Sequence, residues 1–137
     1  MDRRLRMGMV GGGPGSFIGQ IHRMAARLDG QIELTAGCFS TSPEKNRAAA
    51  RAEFLAPDRV YDDYRQMFAS ERRLPEEKRI DFVAIVTPND THFPIAMAAL
   101  DAGFHVVCDK PMTLTVEDAE TLQRRVEETG LLFCLTH

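Results

Sequence analysis

The chain has 137 residues, with 17 Lys plus Arg against 20 Asp plus Glu and a net charge of -3, a length that fits one domain and buries about two thirds of the unfolded chain's surface. Charges of both signs are interspersed along it, which argues against nucleic acid or an anionic membrane as the main partner. No apolar run approaches bilayer-spanning length, and the basic start MDRRLRMGMV breaks into glycine before a signal-peptide apolar region can form, so the sequence predicts a soluble, cytoplasmic protein.

The first strand is expected at Leu5–Val10. It runs into MVGGGPGSFIGQIH, Met9 to His22, which places five glycines within nine residues. A helix follows, with Ile21, Met24, Ala25 and Leu28 in one apolar stripe and Gly30 as its stop. Ile32–Phe39 is the second strand candidate. In TSPEKNRAAARAEF, Ser42 is placed to cap the next helix and Pro43 to take its first position, where a missing N–H costs nothing. A short strand is expected at Arg59–Tyr61, then a short helix capped by Asp62 or Asp63. SERRLPEEKR, Ser70 to Arg79, is the most charged segment and predicts a solvated loop. Beyond it come a strand at Phe82–Thr87, a helix from Thr91 to Ala102 ended by Gly103, and a strand at His105–Cys108. A helix from Thr115 to Thr129 opens with a capping box of Thr115 and Asp118, presents Ala119, Leu122 and Val126 on one face, and closes at Gly130. Leu131–Leu135 is the last strand candidate. The strands are rich in Val, Ile, Leu, Met and Cys with little polar alternation, as suits strands covered on both sides. This alternation predicts an α/β fold, a Rossmann-type doubly wound parallel sheet of about six strands with helices on both faces, filling residues 1–137. The three cysteines, Cys38, Cys108 and Cys134, are far apart and lack metal-ligand spacing, so they are expected as reduced core thiols, with no metal site. The abrupt end at LFCLTH suggests a piece of a longer protein.

A strand that turns straight into a helix presents free N–H groups and the positive end of the helix dipole, a seat for a pyrophosphate. Gly11 and Gly13 suit the tight turn and the close approach to phosphate, with Gly15, Phe17 and Ile18 completing the candidate loop. Strict G-x-G-x-x-G counting from Gly11 lands on Ser16. Counting back from the helix makes Gly19 the packing glycine and Pro14 to Phe17 a small insertion. A bare G-x-G also occurs in methyltransferases and in plain turns; following a strand and opening a helix, it favours a dinucleotide. The second strand should end at the adenosine ribose. There stands Ser40, where an Asp or Glu would mark NAD; Ser40, Thr41 and Ser42, with Lys45 or Arg47 nearby, tolerate or bind a 2′-phosphate, so NAD and NADP both remain open.

Two polar clusters follow the strands at Phe82 and His105: VTPNDTHF and VVCDKPMT. With the glycine loop, they make the chain resemble the N-terminal domain of the Gfo/Idh/MocA oxidoreductases. Asp109, Lys110 and Pro111 match the family's E-K-P motif, with Asp for Glu; Thr87, Pro88, Asn89 and His92 match its T-P-N-x-x-H segment. The resemblance implies hydride transfer between a nicotinamide, NAD or NADP, and a hydroxyl-bearing carbon of a sugar, inositol or related polyol. It implies that Lys110 lies between the nicotinamide ribose and the reacting hydroxyl as the catalytic residue. A lysine there donates a hydrogen bond to the oxygen that gains charge. Asp109 would counter that cation and Pro111 would fix the turn. Thr87, Pro88 and Asn89 would line the nicotinamide side, with His92 opening the next helix, and His105 is expected to be structural. Two departures stand out: the loop is longer than the plain motif, and the family's second domain, which supplies most of the substrate pocket and the interface of a homo-oligomer, is absent. The competing reading is a non-catalytic dinucleotide-binding module that senses redox state or regulates a partner.

Overall fold

The computed structural model describes residues 3–137. Its elements are β1 (Leu5–Gly11), α1 (Phe17–Arg27), β2 (Ile32–Cys38), α2 (Pro43–Ala52), α3 (Tyr64–Arg73), β3 (Phe82–Val86), α4 (His92–Asp101), β4 (His105–Asp109), α5 (Val116–Thr129) and β5 (Phe133–Thr136), with 3-10 turns at Pro57–Arg59 and Asn89–Thr91. The strands form one parallel sheet in the order β2-β1-β3-β4-β5. Chain direction across the sheet reverses between β1 and β3, and a crevice opens at such a switch point beyond the carboxyl ends of the strands.

The sheet has five strands rather than the expected six or so. Arg59–Tyr61 makes a single bridge, Gly37 to Val60, because the turn at Pro57–Arg59 leaves too few extended residues for a ladder. The bridge lies against β2, where a third nucleotide-fold strand would run.

Side chains alternate along the strands and feed two cores. Val10 of β1 with Val83 and Ile85 of β3 join Met67, Phe68, Ile95, Leu100, Phe104 and Leu122 on the face covered by α3, α4 and α5. Met7 and Met9 with Ala84 and Val86 join Ala26, Phe39, Ala49 and Ala50 on the face covered by α1 and α2.

The helix signals work as their chemistry requires. Ser42, Asp63 and Thr115 each accept a backbone N–H of the first turn, and Gly130 closes α5 at φ 65°. Of the two aspartates weighed for α3, Asp63 is the cap. Three expectations need correction. The stripe of α1 faces solvent: Met24 is 67% and Leu28 is 90% exposed, and the helix turns Gly19, Arg23 and Ala26 inward instead. Ser70–Arg79 is not wholly a solvated loop, because α3 continues to Arg73 and Glu71 is 0% exposed. Cys38 and Cys108 are buried, but Cys134 is exposed on the edge strand and is no core thiol.

Candidate functional site

The turn from β1 into α1 is built by two glycines that no other residue could replace at their positions. Gly11 sits at φ 86°, and a Cβ there would lie 2.8 Å from the Val86 carbonyl of β3. A Cβ on Gly19 would lie 2.5 Å from the Gly12 Cα, so the helix seats directly on the loop. This is the packing role expected of Gly19. Ser16, where strict motif counting fails, caps α1 by accepting the Gly19 N–H at 3.1 Å. Beneath the loop, the buried Arg23 guanidinium donates to the Gly12 carbonyl at 2.9 Å and pairs with Glu53 of the α2 end at 2.9 Å. Sequence reasoning missed Arg23, since a charged residue on the inner side of a helix carries no periodic signal.

In front of the loop lies a cleft of about 540 Å³ whose walls include Gly11, Ser40, Thr41, Tyr64, Thr87 and Pro88. Its far wall is Asp62–Tyr64, which the sequence offered only as a helix cap. The two walls are tied by Asn46, which is fully buried. Its Oδ1 accepts the Phe39 N–H at 2.8 Å, and its amide donates to the Tyr61 carbonyl at 2.8 Å and to Asp62 at 3.1 Å. Ser40 Oγ accepts the Ser42 N–H at 3.1 Å, and Lys45 is exposed on the first turn of α2. Gly13 and Gly15 open instead on a second hollow, about 490 Å³, between α1 and α2. Phe17 is 76% exposed, whereas Ile18 packs on the core under α1.

Beyond the cleft, the ends of β3 and β4 approach each other. Thr91 Oγ1 lies 2.7 Å from Thr87 Oγ1 and 2.7 Å from the Pro88 carbonyl, which folds the T-P-N turn into a 3-10 helix with Asn89 exposed. Asp109 accepts the Thr136 hydroxyl at 3.0 Å and faces His22 Nε2 of α1 at 3.8 Å. Lys110 is exposed, and its peptide bond to Pro111 is cis. His92 is 1% exposed, with Nδ1 2.6 Å from the Pro111 carbonyl oxygen and Nε2 2.9 Å from that of Thr87. His105 Nδ1 accepts the Leu132 N–H at 3.0 Å, the structural part expected of it. Among the described residues no cluster of three or more His, Cys, Asp or Glu could hold a metal ion, and no helix is long and apolar enough to cross a membrane.

The family model of the GFO_IDH_MocA group, described as an oxidoreductase family with an NAD-binding Rossmann fold, matches residues 5–137. The chain belongs to this family. The oxidoreductase YfiI of Bacillus subtilis is 36% identical over the whole chain, which spans 35% of that relative. An oxidoreductase crystal structure from Sinorhizobium meliloti superposes with a TM-score of 0.91 at 48% identity, over 99% of this chain and 37% of that one. An inositol dehydrogenase homologue from Azotobacter vinelandii, solved with NADH and myo-inositol, superposes with a TM-score of 0.94 at 43% identity, over 99% and 35%. The chain thus spans about a third of the length of the relatives it matches. The family expectation and the Rossmann-like fold of the sequence reading both hold.

Proposed function

We propose that this chain is the dinucleotide-binding domain of an oxidoreductase that moves hydride between NAD or NADP and a hydroxyl-bearing carbon of a sugar, inositol or related polyol. The observation that carries this reading is the meeting, at one switch point, of a close-packed glycine turn that side chains would break with two polar turns from β3 and β4. A Cβ on Gly13 would lie 2.9 Å from the Phe39 carbonyl, so only glycine lets the loop lie this close to the end of β2, and a tight glycine turn at a helix start suits a pyrophosphate. When bound, a nicotinamide supplies the hydride acceptor or donor. The chain's own residues do the rest. Gly11 and Gly13 admit the phosphates, with Gly15 at the mouth of the loop and Phe17 and Ile18 entering the helix behind it. Ser40, Thr41 and Lys45 meet the adenosine ribose. Thr87, Pro88 and Asn89 wall the nicotinamide side. Lys110, on an exposed turn beside Asp109 and Pro111, hydrogen-bonds the reacting oxygen as charge develops on it, where such a donor lowers the barrier. In support, the A. vinelandii homologue carries NADH and myo-inositol together. The chain spans about a third of its relatives, and in this proposal the remainder of the substrate pocket, and any homo-oligomer interface, are supplied by residues outside it.

The test has two parts. Calorimetric titration with NADH and with NADPH should give binding of at least one, and Ser40→Asp should shift the preference toward NADH, because a carboxylate there repels a 2′-phosphate. Turnover of NAD or NADP with myo-inositol and a panel of sugars, in the protein that carries this domain, should fall by orders of magnitude in Lys110→Met with cofactor affinity retained. Near-normal turnover in that variant would sink the assignment of Lys110, and cofactor binding without turnover of any polyol would favour the non-catalytic module.

A further inference from the structure

His92 stands outside the cleft wall, yet it touches both turns that the proposed function places around the nicotinamide. It is the first residue of α4, its side chain is 1% exposed, and each ring nitrogen meets a carbonyl oxygen, Pro111 at 2.6 Å and Thr87 at 2.9 Å. A carbonyl only accepts. A neutral imidazole has one N–H to give and serves one of the two oxygens at a time, whereas an imidazolium serves both. Either way the ring leaves no nitrogen free to meet a ligand. The Pro111 carbonyl is one residue beyond Lys110, and the Thr87 carbonyl begins the T-P-N turn.

We infer that His92 is the positioning residue that aims Lys110, through its Nδ1 contact with the Pro111 carbonyl, and that the Nε2 contact registers this turn against Thr87. The inference rests on the proposed function, since it takes Lys110 to lie against the nicotinamide half of a bound cofactor. Other attachments of the Asp109–Pro111 turn act elsewhere: Thr136 donates to the Asp109 carboxylate and His22 faces it at 3.8 Å, on the β4 side of Lys110. Without His92 the Pro111 side of the turn loses its buried anchor. A displacement of about 1 Å in a group that must meet a reacting atom costs about a hundredfold in rate, while cofactor held mainly at the glycine loop stays bound.

The two contacts can be separated. An Asn side chain places its amide nitrogen close to where Nδ1 lies, and a Gln side chain close to where Nε2 lies. His92→Asn therefore keeps the Pro111 contact and His92→Gln keeps the Thr87 contact, while His92→Phe removes both and keeps the packing. The readout needs no substrate: the rate at which acetic anhydride labels Lys110, with and without saturating NADH, relative to the exposed Lys78. NADH should slow labelling of Lys110 about fivefold or more in the wild type and in His92→Asn, and should fail to do so in His92→Gln and His92→Phe, with NADH affinity by calorimetry within about threefold throughout. Melting temperatures taken alongside identify a merely structural role, in which Asn and Gln lose protection together and in proportion to stability. That result, retention of protection in every variant, or protection kept by Gln and lost by Asn would each overturn the inference. Absence of NADH protection in the wild type would overturn the placement of Lys110 itself, and the inference with it.

Discussion

The two faces of the sheet are built differently. On the face covered by α3, α4 and α5, large side chains close on one another: Phe68 and Phe104 pack at a tilt of 48° with ring centroids 6.1 Å apart, and Met67, Leu100 and Leu122 are all fully buried. On the face covered by α1 and α2, the core is made of small residues, Ala26, Ala49, Ala50 and Ala84, around Met7, Met9 and Phe39. The helix there presents Phe17, Met24 and Leu28 outward. The physical cause is the cradle. For a helix to begin on top of the glycine loop, its inner side must be small at Gly19 and must carry Arg23 inward to the Gly12 carbonyl, so its large apolar residues are turned away from the sheet. One face supplies stability and the other supplies the geometry of the candidate site.

The sharpest test of this contrast lies on the large face. Glu71 is 0% exposed and accepts from Nε and Nη2 of Arg59, at 2.8 and 2.7 Å, from the Tyr61 hydroxyl at 3.0 Å and from the Ile80 N–H at 3.1 Å. Glu71→Ala leaves those donors unpaired in the interior and should cost about 3–5 kcal/mol, read by chemical denaturation. Leu100→Ala, a cavity in the same core, should cost about 2–5 kcal/mol. If either substitution were nearly neutral, the large face would not be the stabilising one.

Thiol chemistry sharpens the same comparison. Burial, and secondarily Asp109, pushes the Cys108 thiol from 9.0 up to about 12, and burial with Asp63 and Asp62 pushes Cys38 to about 11. A thiolate is the reactive form, so at pH 8 Cys108 should carry about a thousandth of the thiolate of an ordinary cysteine. Alkylation of the folded protein should modify Cys134 alone, and all three cysteines in denaturant. Burial and Glu71 likewise raise the Tyr61 phenol from 10.0 to about 12. Because the folded form holds these protons and the unfolded form releases them, the corresponding stability is fully present below about pH 9 and falls as pH rises toward 12. A stability flat across that range would contradict the burial of the three groups. The smallest effect belongs to α1: Leu28→Gln, at a side chain that is 90% exposed, should stay within about 0.5 kcal/mol by the same denaturation.

Much of the site was legible because it is local. Gly11 and Gly19 act within one turn, and their roles follow from where the strand ends and the helix begins, whereas the capping role of Ser16 emerged only from the structure. The T-P-N and D-K-P turns were legible as motifs, and their nearness follows from adjacent parallel strands ending at one edge. The supporting residues were not. Arg23, Asn46 and Glu71 look like surface residues of helices, and nothing in the sequence around them records that the Gly12 carbonyl, the Phe39 N–H or the Arg59 guanidinium will lie opposite. The apolar stripe of α1 misled for the complementary reason, since periodicity tells which residues share a face and not which way that face points.

The sequence by itself determined the alternation of strands and helices, the caps that start and stop them, the glycine turn and the family. Those depend on backbone conformation and on contacts a few residues apart, which side-chain chemistry dictates directly. Only the tertiary structure decided that the third strand shrinks to one bridge, that α1 turns a small and charged side inward, and that a buried histidine joins the two turns of the site. Each of those depends on which groups from distant segments meet in space, and packing, not local preference, sets that.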